Sequence, residues 1–240
     1  MNSDNFIEAL LLQKKFSLKS KDRDIENISY LLSQEIRKVN EFQNPIYIIG
    51  GVASGKSTLA NKLSEKLGNT IVISTDDFVM GTRDWRRTNI VAQNKSPLLK
   101  YDFDLLRKKI DELKSSEFHT VSLPKYDELS GLAIANSQEN YRKIEIKPDY
   151  VIIEGDFQVY PNPGLQIYLH ISDQIRTDNR IQRDKEKRNE ADISKLFADI
   201  ETRNKQQHFP FTLPCAENSD ILLTVEKDKL GKYSYRYYNN

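Results

Sequence analysis

A single cysteine, Cys215, stands among the 240 residues, which excludes an internal disulfide framework and fits a reducing compartment. No apolar run approaches the roughly 20 residues that cross a bilayer. The opening MNSDNFIEALLLQKK puts acids ahead of a short apolar run, where a signal peptide needs a basic start and a small-residue cleavage site. A cytoplasmic protein with no membrane role is expected. Net charge is nearly missing too: 36 Lys and Arg face 35 Asp and Glu, leaving +1. No global field gathers nucleic acid, so any basic site has to be local. The histidines His119, His170 and His208 have neither ligand spacing nor a triad partner, and a structural or exposed role is expected of each. Repeats and low-complexity tracts are absent, and the length suits one large α/β domain with a core.

Residues 1–43 read as a helical extension. Asp24 is placed to cap a helix whose apolar residues Ile25, Ile28, Leu32, Ile36 and Val39 recur at spacings of three and four. That stripe needs a cover, either the rest of the chain or a homodimer partner. From about residue 44 the texture changes to a domain reaching 240. IYIIGG is a strand that runs into glycines; a helix follows with Leu59, Ala60, Leu63 and Leu67 on one side and Gly68 as its stop. TIVISTDDF is a second strand, and YDFDLLRKKIDELKSS a helix. HTVSLP, KIEI, YVIIEGDF, LQIYLHIS and DILLTV are further strand candidates, with a charged helical segment over about 174–206. Residues 124–150 read as a hairpin-like insertion, and KYSYRYY as a last edge strand. Alternation of apolar strands with helices predicts a mostly parallel sheet covered on both faces.

GGVASGKS, residues 50–57, satisfies G-x-x-x-x-G-K-[ST] between a strand and a helix. Glycines let backbone N–H groups curl round phosphate oxygens, the helix offers its positive end, the lysine reaches the outer phosphates and the hydroxyl holds Mg²⁺. The expected cradle comprises Gly50, Gly51, Val52, Ala53, Ser54, Gly55, Lys56, Ser57 and Thr58. DYVIIEGDF ends a buried-type strand on Glu154, which with Ser57 is the candidate Mg²⁺ shell; Asp156 is either a weaker candidate or simply exposed. The fold class that follows is an α/β phosphate-loop NTPase using ATP or GTP with Mg²⁺.

A GTPase needs an [NT]-K-x-D base reader, and PKYD at 124–127 has proline in front. A small-molecule kinase needs a carboxylate near the acceptor hydroxyl, a substrate-holding segment and arginines over the transferred group. STDDF supplies Asp76 and Asp77 at the carboxyl edge of the sheet, where ligands bind. In QIRTDNRIQRDKEKRN, Arg176, Arg180, Arg183 and Lys187 share one helical face. GTRDWRR, 81–87, brings Arg83, Trp85, Arg86 and Arg87 either to the pocket mouth or to a surface loop.

Over roughly 45–225 the chain resembles the uridine kinase and phosphoribulokinase family of phosphate-loop kinases. GGVASGKST, ISTDDF, LPKYDELSG, and VIIEG followed by RIQRD match in order and spacing. The resemblance implies a general base at Asp76 that also touches the Mg²⁺ shell. It implies an acceptor pocket at Tyr126 and Asp127, and a lid carrying Arg180 and Arg183 with Arg188 one turn on. The expected catalytic set is therefore Lys56, Asp76, Arg180 and Arg183. The nucleoside readers of uridine kinases are missing: ELSGLA replaces the histidine and arginine after P-x-Y-D, and NKSPLLKYDFD lacks D-H-P. A kinase acting on a hydroxyl of a nucleoside- or sugar-like small molecule is expected. The alternative is a non-catalytic nucleotide-binding regulator that engages a partner through residues 1–43.

Overall fold

The computed structural model describes residues 2–13, 16–39, 44–127, 131–133, 141–157, 164–188 and 193–240, with only the backbone for 39, 187, 188, 193 and 195. In chain order the elements are α1 (Ser3–Leu12), β1 (Ser17–Arg23), α2 (Ile25–Val39), β2 (Ile46–Gly50), α3 (Lys56–Leu67) and β3 (Thr70–Ser74). Then come α4 (Arg83–Arg86), α5 (Phe103–Lys114), β4 (Val121–Leu123), β5 (Arg142–Ile144), β6 (Tyr150–Gly155) and β7 (Leu165–Ile171). The chain closes with α6 (Asp173–Arg188), α7 (Ile193–Arg203), β8 (Ile221–Lys227) and β9 (Tyr233–Asn239).

Seven strands form one sheet in the order β1-β9-β8-β7-β2-β6-β3. From β3 to β8 all neighbours are parallel, and β9 and β1 add antiparallel pairings. Successive strand residues face opposite sides, and both sides are covered, which is why IYIIG is apolar throughout. Ile46 and Ile48 face α2 and α3 through Ile28, Leu32, Leu59 and Leu63. Tyr47 and Ile49 face α1 and α5 through Ile7, Leu10, Leu106 and Ile110. Asp24 caps α2 by accepting the Asn27 N–H at 2.8 Å. Ile28, Leu32 and Ile36 of the apolar stripe of α2 are thus buried within the chain itself, with Ile25 partly buried beside them. Among the described residues no helix is long and apolar enough to cross a membrane.

Four elements depart from the sequence pattern. Between the two N-terminal helices lies β1, SLKSKDR, almost wholly exposed. It has no apolar alternation because it joins the sheet edge through its backbone against β9, and a polar edge strand discourages pairing with other chains. As a result β9 is an inner strand rather than the last edge. The charged segment after β7 is two helices, and α7 runs on into a π-helical stretch, Asn204–Thr212. HTVSLP and KIEI leave the main sheet and pair with each other as β4 and β5.

The N-terminal helix is tied to α6. The Ser3 N–H donates to Asp173 Oδ2 at 3.1 Å, and His170 Nε2 lies 3.0 Å from Asp4 Oδ1.

Leu32 is fully buried between α3 and the sheet. Leu32→Ala should cost about 2–5 kcal/mol of stability, read as a lower urea midpoint at unchanged slope. A loss below about 1 kcal/mol would mean that α2 is not part of the core.

Candidate active site

The site grows from the abrupt end of β2. A Cβ on Gly50 would collide with the Leu169 carbonyl, so only glycine lets β2 turn there beside β7. The loop then takes left-handed backbone at Ala53 (φ 63°) and Gly55 (φ 95°), which curls its N–H groups inward at the start of α3. Lys56 Nζ donates to the Gly51 carbonyl at 2.9 Å and to Asp156 Oδ1 at 3.0 Å. Ser57 Oγ donates to Glu154 Oε1 at 3.1 Å. Ser54 Oγ is buried with no partner among the described residues. Arg176 lies over the loop, its side chain about 3 Å from where a Gly51 Cβ would stand.

The acids enter from the ends of β3 and β6. Gly155 lets β6 approach the turn after β3 so closely that a Cβ there would strike the Thr75 side chain. In that turn, a 3₁₀ segment over Thr75–Phe78, the two aspartates separate. Asp77 points inward and accepts the Tyr126 N–H at 2.8 Å; burial raises its pKa against the pull of that bond. The Asp76 carboxylate is exposed to the cleft, with no hydrogen bond or ion pair to the described residues. Burial also raises the pKa of Glu154, with Lys56 opposing. Asp156, the weaker metal-shell candidate of the sequence, is partly buried against Lys56, with its side chain 16% exposed. Burial would raise its pKa, but Lys56 and Lys100 outweigh it and hold the carboxyl below its usual range.

One cleft of about 620 Å³ joins the phosphate loop, Asp76, Asp77, Tyr126, Glu154 and Arg183. Arg183 is held by Asp184 Oδ1, at 3.0 Å from Nη2 and 3.2 Å from Nε. Arg180 does not line this cleft. It is buried, donates to Asp184 Oδ2 at 3.4 Å, and faces a small space behind the loop with Arg176, Arg203 and His208. Arg83 and Trp85 stand outside the cleft wall, on the short helix α4. Arg83 reaches the Tyr126 hydroxyl at 3.4 Å, and Trp85 is 44% exposed. The Asp127 carbonyl accepts the Gly131 N–H at 2.8 Å, and Asp127 is outside the cleft wall. The side chain of Arg188 falls outside the described residues.

Several wall residues went unnoticed in the sequence. Lys100, Asn179 and Arg203 all line the cleft. Tyr233 of β9 donates to Asn179 Oδ1 at 2.8 Å. For Lys100 the one signal was its place in the stretch where D-H-P is missing. Among the described residues no group of three or more His, Cys, Asp or Glu is arranged to hold a metal ion. The donor set of Ser57, Glu154 and Asp76 fits Mg²⁺ nonetheless, since that ion keeps waters and substrate phosphates as most of its ligands.

Residues 46–230 match the model of the Phosphoribulokinase / Uridine kinase family, and the chain belongs to that family. It is accordingly a phosphotransferase with an alcohol group as acceptor. The uridine kinase of Borrelia duttonii is 26% identical over 184 residues, covering 74% of this chain and 84% of the relative. That of Limosilactobacillus reuteri is 26% identical over 186 residues, covering 74% and 81%. Among solved structures, a candidate fructose transport system kinase from a Silicibacter species superposes with TM-score 0.58 at 18% identity, over 80% of this chain and 94% of that one. A circularly permuted candidate phosphate-loop kinase from Saccharomyces cerevisiae gives 0.55 at 10% identity, over 78% and 94%. These two likenesses show the fold.

Two stability measurements test the site's construction. Asp77→Ala strands the Tyr126 N–H and should cost about 1–3 kcal/mol, whereas Asp76→Ala should stay within about 0.5 kcal/mol of wild type. The opposite order in urea titrations would reverse the two assignments. His208 is buried with both ring nitrogens unpartnered among the described residues. Burial, helped by Arg176, pushes its pKa from 6.5 to about 3. The unfolded chain therefore takes up a proton that the folded protein refuses. Stability should fall as pH drops from 6.5 towards 4, by up to about 1.4 kcal/mol per pH unit from this group. His208→Leu should flatten that slope; an unchanged slope would assign the acid sensitivity elsewhere.

Proposed function

We propose that this protein transfers the γ-phosphoryl group of ATP or GTP to a hydroxyl of a nucleoside- or sugar-like metabolite. The observation that carries this reading is the unpartnered Asp76 carboxylate in the same cleft as a complete phosphate loop. Lys56 and the loop amides would bind the nucleotide phosphates, Lys56 trading its internal partners for phosphate oxygens. Asp76 would take the acceptor hydroxyl's proton. The freed oxygen would attack the γ-phosphorus, and the β–γ bridging bond would break to release the nucleoside diphosphate. Arg183 would lie along the equatorial oxygens of the group in flight. Arg180 would act through Asp184, which it shares with Arg183. Tyr126 would line the acceptor side, with Arg83 steadying its hydroxyl.

Ser57 and Glu154, with Asp76 nearby, are the residues that would hold Mg²⁺, which when bound neutralises phosphate charge and orients the terminal phosphates. The arrangement suits a cytosolic metabolic enzyme better than a nucleotide sensor, because a sensor needs neither a free base nor a lid arginine.

ADP release over a panel of nucleosides, sugars and pantothenate-like alcohols is the direct test. Asp76→Asn should keep ATP binding and lose about 10²-fold or more in turnover, and Lys56→Ala should nearly abolish it. Near-normal turnover without Asp76 would remove the base from the mechanism. Silence over the whole panel with ATP still bound would favour the regulatory alternative.

A further inference from the structure

The helix α1 stands outside residues 46–230, the span that matches the family, yet its first residue reaches the base of the site. Ser3 is fully buried. Its N–H donates to Asp173 Oδ2 at 3.1 Å, and its hydroxyl to Asp173 Oδ1 at 2.5 Å. Asp173 opens α6, so one carboxylate stands at the leading turns of two helices, where negative charge is favoured. Burial would raise the pKa of Asp173, but the hydrogen bonds from Ser3 and Arg176 outweigh it and hold the carboxyl below its usual range. The rest of α1 keeps Ser3 in place. Ile7 and Leu10 are buried in one core cluster with Tyr168 and Leu213, and Asp4 meets His170 at 3.0 Å.

The same carboxylate holds Arg176, whose Nη2 donates to Asp173 Oδ1 at 2.7 Å and to Asn204 Oδ1 at 3.0 Å. From these two anchors the side chain runs along the phosphate loop. A Cβ on Gly51 would stand only 2.9 Å from its Cδ and 3.0 Å from its Nη1. The Gly51 carbonyl in turn accepts Lys56 Nζ at 2.9 Å. Ser3, Asp173, Arg176, Gly51 and Lys56 are therefore consecutive contacts, running from outside the family span to the lysine of the loop. A long guanidinium side chain loses rotamer freedom when it packs, and an immobile partner lowers what that ordering costs. Without Ser3, the Asp173 carboxylate would lose two of its three hydrogen bonds to the described residues.

We propose that α1 is part of the nucleotide site, with Ser3 and Asp173 as positioning residues that hold Arg176 against Gly51 and so keep the phosphate loop in the form that receives the donor's phosphates. This goes beyond the kinase reading and rests only on its nucleotide-binding half, since the acceptor plays no part in it. An α1 that leaves α6 lowers the affinity for nucleotide. By linkage, bound nucleotide tightens α1 on the domain by the same factor.

The test is calorimetric titration of the full chain with a non-hydrolysable ATP analogue and Mg²⁺. Ser3→Ala removes the hydroxyl while leaving the buried apolar residues of α1, and should weaken binding about 3–10-fold. Asp173→Asn should weaken it at least as much. A double variant separates positioning from mere stability. With Arg176→Met already present, Ser3→Ala should change the affinity less than about 1.5-fold, because the residue through which it acts is gone. Equal losses in the two backgrounds would overturn the proposal and make Ser3 a tie that only stabilises the fold. Wild-type affinity in Ser3→Ala would overturn it as well. Hydrogen exchange reads the reverse direction: the amides of Ser3–Leu12 should exchange more slowly once the analogue is bound, and exchange that ignores the analogue rejects the coupling. If the wild-type chain binds no analogue, this inference and the nucleotide reading fall together. If it binds with the expected coupling but phosphorylates no acceptor, the kinase reading falls alone.

Discussion

The contact on which the site depends is the ion pair between Lys56 and Asp156. It joins the first turn of α3 to the end of β6 across 100 positions of chain, and so fixes the phosphate loop against the strand end that carries Glu154. The buried lysine is paired with the Asp156 carboxylate and with the Gly51 carbonyl. An incoming phosphate can therefore replace existing partners instead of having to desolvate a free ammonium. The loop is held ready in a closed form by groups that are themselves parts of the site.

The other placements follow from how strands end. In a parallel sheet the loops at one edge converge, and β2, β3, β6 and β7 bring the phosphate loop, the Asp76 turn, Glu154 with Asp156, and the base of α6 to that edge. Gly50 and Gly155 are where this crowding is tightest, since each has a neighbour where a side chain would begin. The same crowding gives the two aspartates of STDDF different surroundings. One residue of 3₁₀ turn rotates a side chain by about 120°, enough to send Asp77 to the Tyr126 amide and leave Asp76 in the cleft.

What could be read from the sequence divides along physical lines. The inner strands and α3 were legible because their burial imposes a period on residue type, and GGVASGKS because its geometry demands particular residues at fixed spacing. Asp76 and Glu154 were legible as acids closing apolar runs. By contrast β1 is held by backbone bonds, which leave no mark on side-chain type. Arg180 and Arg183 share a helical face, yet three residues of offset put one behind the loop and the other in the cleft. Lys100 and Arg203 are two basic residues among 36, and only the meeting of α5's leading turn with the end of α7 singles them out.

The pairing of β1 with β9 sets Ser17 opposite Asn239, two positions more than 200 residues apart in the chain. Forming that edge closes the longest loop in the molecule, at an entropic cost that has to be met before the pairing returns anything. The parallel core from β2 to β8 has shorter crossovers and a continuous apolar interior on each face. If in folding the core assembles first and the edge zips up last, the part of the cleft wall where Tyr233 meets Asn179 is completed in that final step.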